Sequence, residues 1–261
     1  MQLDIGEFKE LIRKATLNYY IDSVRLDYNK SKDRITSNMV SDTRKVAVIL
    51  DIDNEMLVDC RDDVSFLFNL PKVDVKPYIE LLDNGKTMLK INDNNMVINN
   101  QIKLQFSDPS VITSLTTNKL KDAARTCNMC FKITSDFIEK YKKVKSIANK
   151  FGKFYLSLAD DGLYLETTDK NNHYSNAVKY NIVETDKLDV TDGENEQISI
   201  SDIKERRVPC FESNAFISLI STIIDNYSDY TMCLSYLTDD EVCIVSVSNE
   251  DEQYIIVNEF D

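Results

Sequence analysis

The side chains best placed for chemistry are two short series of cations that recur along the chain. The first lies in Gly6-Glu7-Phe8-Lys9-Glu10-Leu11-Ile12-Arg13-Lys14-Ala15, the second in Ser135-Asp136-Phe137-Ile138-Glu139-Lys140-Tyr141-Lys142-Lys143-Val144. Aligned, they set Phe8 on Phe137, Glu10 on Glu139, Ile12 on Tyr141, Arg13 on Lys142 and Lys14 on Lys143. In the second segment Phe137, Tyr141, Val144, Ala148 and Phe151 follow spacings of four, three, four and three, which is one apolar stripe of a helix. Lys142, Lys143 and Lys150 then project from the opposite side, with Lys140 and Lys145 on the flanks. No acidic residue lies between Tyr141 and Asn149 to answer them, whereas a solvated helix face usually mixes signs to gain i,i+4 pairs. A comb of one sign fits an external polyphosphate. The competing reading is a solvated lysine face, and the matched Lys9, Arg13 and Lys14 weigh against it. Lysine meets phosphate as a mobile hydrated charge and lacks the fork by which Arg reads guanine. The contact it predicts is blind to base sequence, sensitive to salt and able to slide. No aromatic residues are interleaved for stacking on single strands.

Catalytic chemistry finds little footing. The single histidine, His173, stands in Asn171-Asn172-His173-Tyr174 at an expected strand start, where a solvated or packed imidazole is the simpler account. Nucleophile-elbow, phosphate-loop and zinc-helix motifs are absent. Asp51-Ile52-Asp53 aims two carboxylates from one strand face, yet no third metal ligand is evident and a polar strand end explains them. Cys127-Asn128-Met129-Cys130 lacks the second Cys/His pair of a zinc site and the βαβ setting of a redox motif. The six cysteines read as small buried thiols, with no disulfide framework indicated. The expectation is a protein without enzymatic activity, cofactor or metal.

Something must hold these cations in place, and the chain is long enough to build it. Its 261 residues suffice for one large or two ordinary domains. No long apolar run marks a membrane span, and Met1-Gln2-Leu3-Asp4 does not begin a signal segment, so an intracellular protein is expected. A net charge of −13 weighs against a nucleic-acid partner unless charge is segregated, because phosphate responds to the local field. With five glycines and four prolines, Asn and Asp must make most turns, as at Asn84-Gly85, Asp161-Gly162 and Asp192-Gly193. Between the turns, β-rich runs cover residues 19–28, 34–40, 45–52, 64–69, 87–91 and 101–106. The style returns at 154–158, 163–167, 173–182, 231–236, 242–247 and 253–257. Asp74 can cap a helix carrying Val75, Tyr78, Ile79 and Leu82, and Ser213 another carrying Phe216, Leu219, Ile220 and Ile223. These two also correspond, Leu81-Leu82-Asp83-Asn84 matching Ile223-Ile224-Asp225-Asn226. Each half therefore runs helix, strands, helix, strands. The predicted fold class is α+β, two tandem copies of one helix-and-antiparallel-sheet domain. Residues 1–107 form the first copy, 108–130 a connector and 131–261 the second.

With this layout the chain resembles the DNA sliding clamps, the eukaryotic proliferating cell nuclear antigen and the clamps of tailed phages. The resemblance is strongest over 64–112. There a strand, a helix, the Asp83-Asn84-Gly85 hairpin, Gln101-Ile102-Lys103-Leu104-Gln105-Phe106 and Asp108-Pro109-Ser110 look like the end of a phage clamp's first domain. Met39 and the C-terminal Tyr254-Ile255-Ile256-Val257 with its acidic tail look like the eukaryotic clamp's partner groove. Two-domain chains of that family close as trimers, with twelve helices lining a hole for duplex DNA and acidic sheets outside. The resemblance thus implies a DNA-clamp fold and a homotrimeric ring, a processivity factor that tethers DNA polymerase and is opened by a clamp loader. It further implies viral or phage origin, in the cytoplasm or nucleus of a host cell, with no membrane partner. DNA contacts are expected from Lys9, Arg13, Lys14, Lys76, Lys140, Lys142, Lys143, Lys145 and Lys150. Partner peptides should dock on Met39, Val40, Val111, Ile112, Leu115, Ile256 and Val257. Exposed edge strands at 101–106 and 173–182 should pair between subunits, with Leu104, Phe106, Val178 and Tyr180 at the interface. One departure stands out, since the helix from Ser213 carries no Lys or Arg; Arg206 and Arg207 upstream are candidate substitutes. Two alternatives remain open. One is a clamp-like viral transcription or checkpoint factor that does not tether polymerase. The other is a metal-dependent nucleic-acid enzyme using Asp51 and Asp53.

Overall fold

A computed structural model describes the chain except for residues 71–74, 113–126, 169–175, 192–195, 204–207, 236–241 and 259–261, and the side chain of Asp202. The chain divides into two compact units. The first holds Met1–Thr116 with Glu250–Gln253, the second Thr117–Asn249 with Tyr254–Asp261. Each is α+β, with helices laid on antiparallel sheets.

The first unit runs β1 (Gln2–Asp4), α1 (Ile5–Ala15), β2 (Ser23–Asn29), β3 (Arg34–Val40), β4 (Val46–Asp53), β5 (Leu57–Val58), β6 (Val64–Asn69), α2 (Lys76–Glu80), β7 (Lys86–Asn92), β8 (Asn95–Ile98) and β9 (Ile102–Gln105). One sheet has the order β5-β1-β7-β8-β9; in the other, β6, β2, β3 and β4 are successive neighbours. Asp4 caps α1, its Oδ1 accepting from the amides of Gly6 and Glu7. Phe8, Leu11, Ile12 and Ala15 bury one face of that helix. Phe8 meets Phe66 and Phe68 of β6 at centroid distances of 6.3 Å each, and Phe106 closes the cluster 5.6 Å from Phe68. Such aromatic contacts fix helix against sheet with area and geometry together.

The second unit repeats the plan with β10 (Met129–Lys132), α3 (Ser135–Phe151), β11 (Lys153–Ala159), β12 (Gly162–Thr167), β13 (Val178–Glu184), β14 (Asp189–Val190), β15 (Cys210–Glu212), α4 (Ser213–Ile223), β16 (Thr231–Leu234), β17 (Ile244–Ser248) and β18 (Glu252–Val257), whose last four residues belong here. Its sheets have the orders β13-β12-β11-β15 and β14-β10-β16-β17-β18. The β11–β12 hairpin turns through Gly162 at φ +147°, where a Cβ would strike the Val183 carbonyl, so only glycine fits. Phe216 of α4 packs 4.7 Å from Phe154 and 5.8 Å from Tyr141 of α3, and Ser213 Oγ donates to the Ala148 carbonyl at 2.9 Å.

Four local expectations need correction. The run at 19–28 becomes strand only from Ser23, because Leu17, Asn18 and Tyr19 take left-handed φ values of 49°, 53° and 63°. That turn is held by Asn18 N donating to Arg13 O at 2.7 Å and Ile21 N to Thr16 O at 2.8 Å, which offset a cost of about 1–2 kcal/mol per residue. The helix after Asp74 is only five residues long, starts without a side-chain cap and leaves Tyr78 51% exposed; Asp74 itself lies outside the described residues. Ser213 is the first helical residue of α4 and not its cap, which is Glu212. Finally, Cys130 and Cys233 are joined as a disulfide, while Cys60, Cys127, Cys210 and Cys243 form no disulfide. The two cysteines face each other across the β10–β16 ladder with Cα atoms 4.1 Å apart. No local pattern announces a pair separated by 103 positions.

Candidate nucleic-acid interface

Helix α3 is anchored at both ends. Thr134 accepts from the Phe137 amide at 3.3 Å, and Gly152 stops the helix in the left-handed conformation at φ 70°. Phe137, Ile138, Tyr141, Val144 and Ala148 are buried, with Phe137 5.5 Å from Phe131. That burial turns Glu139, Lys142, Lys143, Ser146, Asn149 and Lys150 to the outside, with Lys145 half-buried on the flank. Among the described residues, Lys142, Lys143, Lys145 and Lys150 form no ion pair. At 1.5 Å per residue, Lys142 to Lys150 covers about 12 Å, the span of three or four phosphates of one DNA strand. Lys140 differs: its Nζ lies 3.0 Å from Asp136 and 3.6 Å from Glu184. Lys187 joins the same group, 3.0 Å from Glu184. Hydrogen bonds from Lys140 and Lys187 hold the Asp136 and Glu184 carboxyls, respectively, below their usual range.

The matched cations of α1 are occupied. Lys9 Nζ donates to the Leu82 carbonyl. Arg13 clasps Glu10 through Nε and a terminal nitrogen at 2.7 and 2.6 Å. Lys14 Nζ bonds Glu252 at 2.6 Å, in a pair 18% and 6% exposed. Glu7, Glu10 and Lys14 line a cleft of about 260 Å³ with Asp53, Glu55, Asp251 and Glu252. Burial, followed by the charges of Glu55, Asp4 and Glu10, raises the Glu7 carboxyl above its usual range. On α2, Lys76 lies 3.5 Å from Glu80 and 4.1 Å over the Tyr19 ring. Helix α4 has no cation, and Arg206 and Arg207 lie outside the described residues.

The remaining candidates fall as follows. In the first unit Met39, Val40 and Ile112 are buried and Val111 is 55% exposed; Leu115 lies outside the described residues. In the second, Ile256 is buried and Val257 half-buried. Strands β9 and β13 are sheet edges. Leu104 is buried in its own unit, whereas Phe106, Val178 and Tyr180 are half-buried. Asp51 and Asp53 are clasped by Arg34, each at 2.7 Å, and Arg34 also reaches Asp251 at 2.7 Å. Their carboxylates therefore serve a strand-end ion cluster, and among the described residues no group of His, Cys, Asp or Glu is placed to hold a metal. His173 lies outside them. Burial pushes the Cys127 thiol up to about 12, which disfavours the thiolate. Sequence reading missed Arg34, whose partners lie on the neighbouring β4 and just before β18, and Glu252, whose partner Lys14 lies on α1 far along the chain. The Glu10–Arg13 and Asp136–Lys140 pairs carry the i,i+3 and i,i+4 signal that could have found them.

Among the described residues no helix is long and apolar enough to cross a membrane. Neither a protein-family model nor a curated protein matches the sequence. Solved structures do match in three dimensions. A. fulgidus PCNA bound to the C-terminal region of FEN-1 aligns over all of this chain and 98% of its own, at 12% identity and TM-score 0.60. PCNA from Entamoeba histolytica aligns over 99% of this chain and 98% of its own, at 13% identity and TM-score 0.62. The DNA polymerase III beta chain of Streptococcus pneumoniae aligns at 9% identity and TM-score 0.68 over all of this chain, but over 64% of that protein. A Helicobacter pylori beta clamp gives 11% identity and TM-score 0.62, again over 64% of its length. The chain thus spans nearly the whole of a PCNA and about two-thirds of a beta clamp. From one end to the other, it has the fold of the DNA sliding clamps.

Proposed function

We propose that this chain is a sliding clamp: a processivity factor that closes head-to-tail as a homotrimeric ring around duplex DNA and tethers a DNA polymerase. The observation that carries the reading is the end-to-end correspondence with PCNA, together with a helix whose outward lysines form no ion pair among the described residues. Residues 1–107 and 131–261 would be the two clamp domains and 108–130 the connector. The sheet edges support head-to-tail closure. Phe106 N donates to Asn94 O at 2.8 Å, so in the β8–β9 register Met96↔Leu104 and Ile98↔Ile102 are the hydrogen-bonded pairs. The main-chain groups of Lys103 and Gln105 then point away from β8, and strand β13 of a second copy could take them, as an exposed edge requires. Buried Leu104 would support that edge from behind, with Phe106, Val178 and Tyr180 flanking the seam.

Of the positions expected to receive a short polymerase or loader peptide, Val111 in the first unit and Val257 in the second keep surface for apolar anchors, whereas Met39, Val40, Ile112 and Ile256 are buried and Leu115 lies outside the described residues. Weak docking suffices once the ring is on DNA, because tethering raises effective concentration. Since Met39, Val40, Ile112 and Ile256 are buried, truncating them should cost stability, about 1–4 kcal/mol each. Val111 and Val257 are therefore the positions at which peptide binding can be tested apart from folding. Native mass spectrometry tests the ring. A trimer at micromolar concentration is expected; a monomer there, and on primed DNA, would refute the reading.

A further inference from the structure

Building on the clamp reading, we propose that the grip on duplex DNA is one-sided within each chain. Helix α3 supplies it, and the cations of its sequence counterpart α1 are structural. In α3 the four lysines Lys142, Lys143, Lys145 and Lys150 lack counter-ions among the described residues, and three of them are exposed. In α1 no residue is exposed. Lys9 Nζ is held by the Leu82 carbonyl, while Arg13 and Lys14 are neutralised by Glu10 and Glu252 respectively.

The surroundings of α1 point the same way. Its Glu7–Glu10–Lys14 face lines a cleft with Asp53, Glu55, Asp251 and Glu252, in which Lys14 is the one lining cation among the described residues. Even with Arg13 on Glu10 and Arg34 on Asp53 and Asp251, the carboxylates outnumber the cations. The raised Glu7 carboxyl reflects burial and that negative field. A phosphate approaching within a Debye length of about 8 Å meets net repulsion there. Freeing Lys14 to meet it would leave Glu252 buried beside other carboxylates. Lys76 is held by Glu80 and the Tyr19 ring, and α4 is uncharged. The sequence match between α1 and α3 therefore records a shared packing role, Phe8 and Phe137 seating each helix on its sheet, and not a shared contact with DNA.

The test is anisotropy titration of a short fluorescent duplex with the full chain across a salt series. One variant carries Lys142→Gln, Lys143→Gln, Lys145→Gln and Lys150→Gln; the other carries Lys9→Gln and Arg13→Gln, with Lys14 untouched. Circular dichroism confirms that both fold. The α3 variant should lose affinity by about 10-fold or more, and the slope of log K against log salt should shrink by about 3–4. The α1 variant should bind within about twofold of wild type. Equal losses in both variants, or a loss confined to the α1 variant, would overturn the one-sided grip while leaving the clamp reading intact. A wild-type chain showing no salt-dependent duplex binding at any ionic strength would overturn both.

Discussion

Replacing Lys14 by Met tests whether this cation is structural. In the native fold its Nζ sits 2.6 Å from Glu252, which is 6% exposed, and 4.0 Å from Glu10. At an effective dielectric of about 20, the closer pair attracts by roughly 6 kcal/mol before desolvation is subtracted. Removing the cation leaves a buried carboxylate facing Glu7, Glu10, Asp53, Glu55 and Asp251. Breaking a buried pair from one side costs about 3–5 kcal/mol. Because Lys14 keeps 18% of its surface in water, solvent screening brings the cost to or just below the bottom of that range, about 2–3 kcal/mol. Thermal denaturation should drop by about 5–10 °C. A chain of two units need not melt in one transition, so hydrogen exchange of the α1 amides should be followed as well. The double variant Lys14→Met/Glu252→Leu removes both charges and should return to within about 1 kcal/mol of wild type, since apolar replacement of a buried pair is often neutral. A loss under about 0.5 kcal/mol for Lys14→Met, as for a surface pair, would refute the reasoning. So would a double variant no better than the worse single one.

The Tyr141 hydroxyl is buried without a hydrogen-bond partner, and burial holds it neutral by raising its pKa above the ordinary tyrosine value. Tyr141→Phe should therefore hold or raise stability by up to about 1–2 kcal/mol in urea denaturation, and a loss would expose an overlooked partner. Lys103→Pro removes an amide on the outer side of β9 and leaves the β8 ladder intact. It should weaken trimer association by about tenfold or more while the monomer stays folded, as read by sedimentation; an unchanged trimer would move the seam elsewhere. The Asp136 and Glu184 carboxyls are held low by Lys140 and Lys187. Their stabilisation is complete above the unfolded-state values, about 4, and is lost as pH falls through the lowered folded values. Lys187→Met should flatten the acid limb of the stability curve below about pH 4, whereas an unchanged limb would show that the cluster is not linked to folding.

The sequence by itself determined the repeating plan and the helix that carries the lysine comb. Apolar spacing from Phe137 to Phe151 fixed which side of α3 is buried, and so left Lys142, Lys143 and Lys150 outside, because helix geometry turns local order directly into a face. Alternation also marked the strand at 101–106, but the run expected at 173–182 is strand only from Val178, residues 173–175 lying outside the described residues, and only the sheet order made both strands edges. Tertiary structure decided everything that depends on contacts between distant segments. Lys14 and Arg13 look like Lys143 and Lys142 along the chain, yet Glu252 arrives from the far end to neutralise Lys14, and Cys233 meets Cys130 only through strand register. Arg34 gathers Asp51, Asp53 and Asp251 for the same reason. A cation's availability depends on its through-space neighbours, which fall off with distance in three dimensions. Sequence therefore located the charges, and only the fold decided which of them lack an ion pair among the described residues.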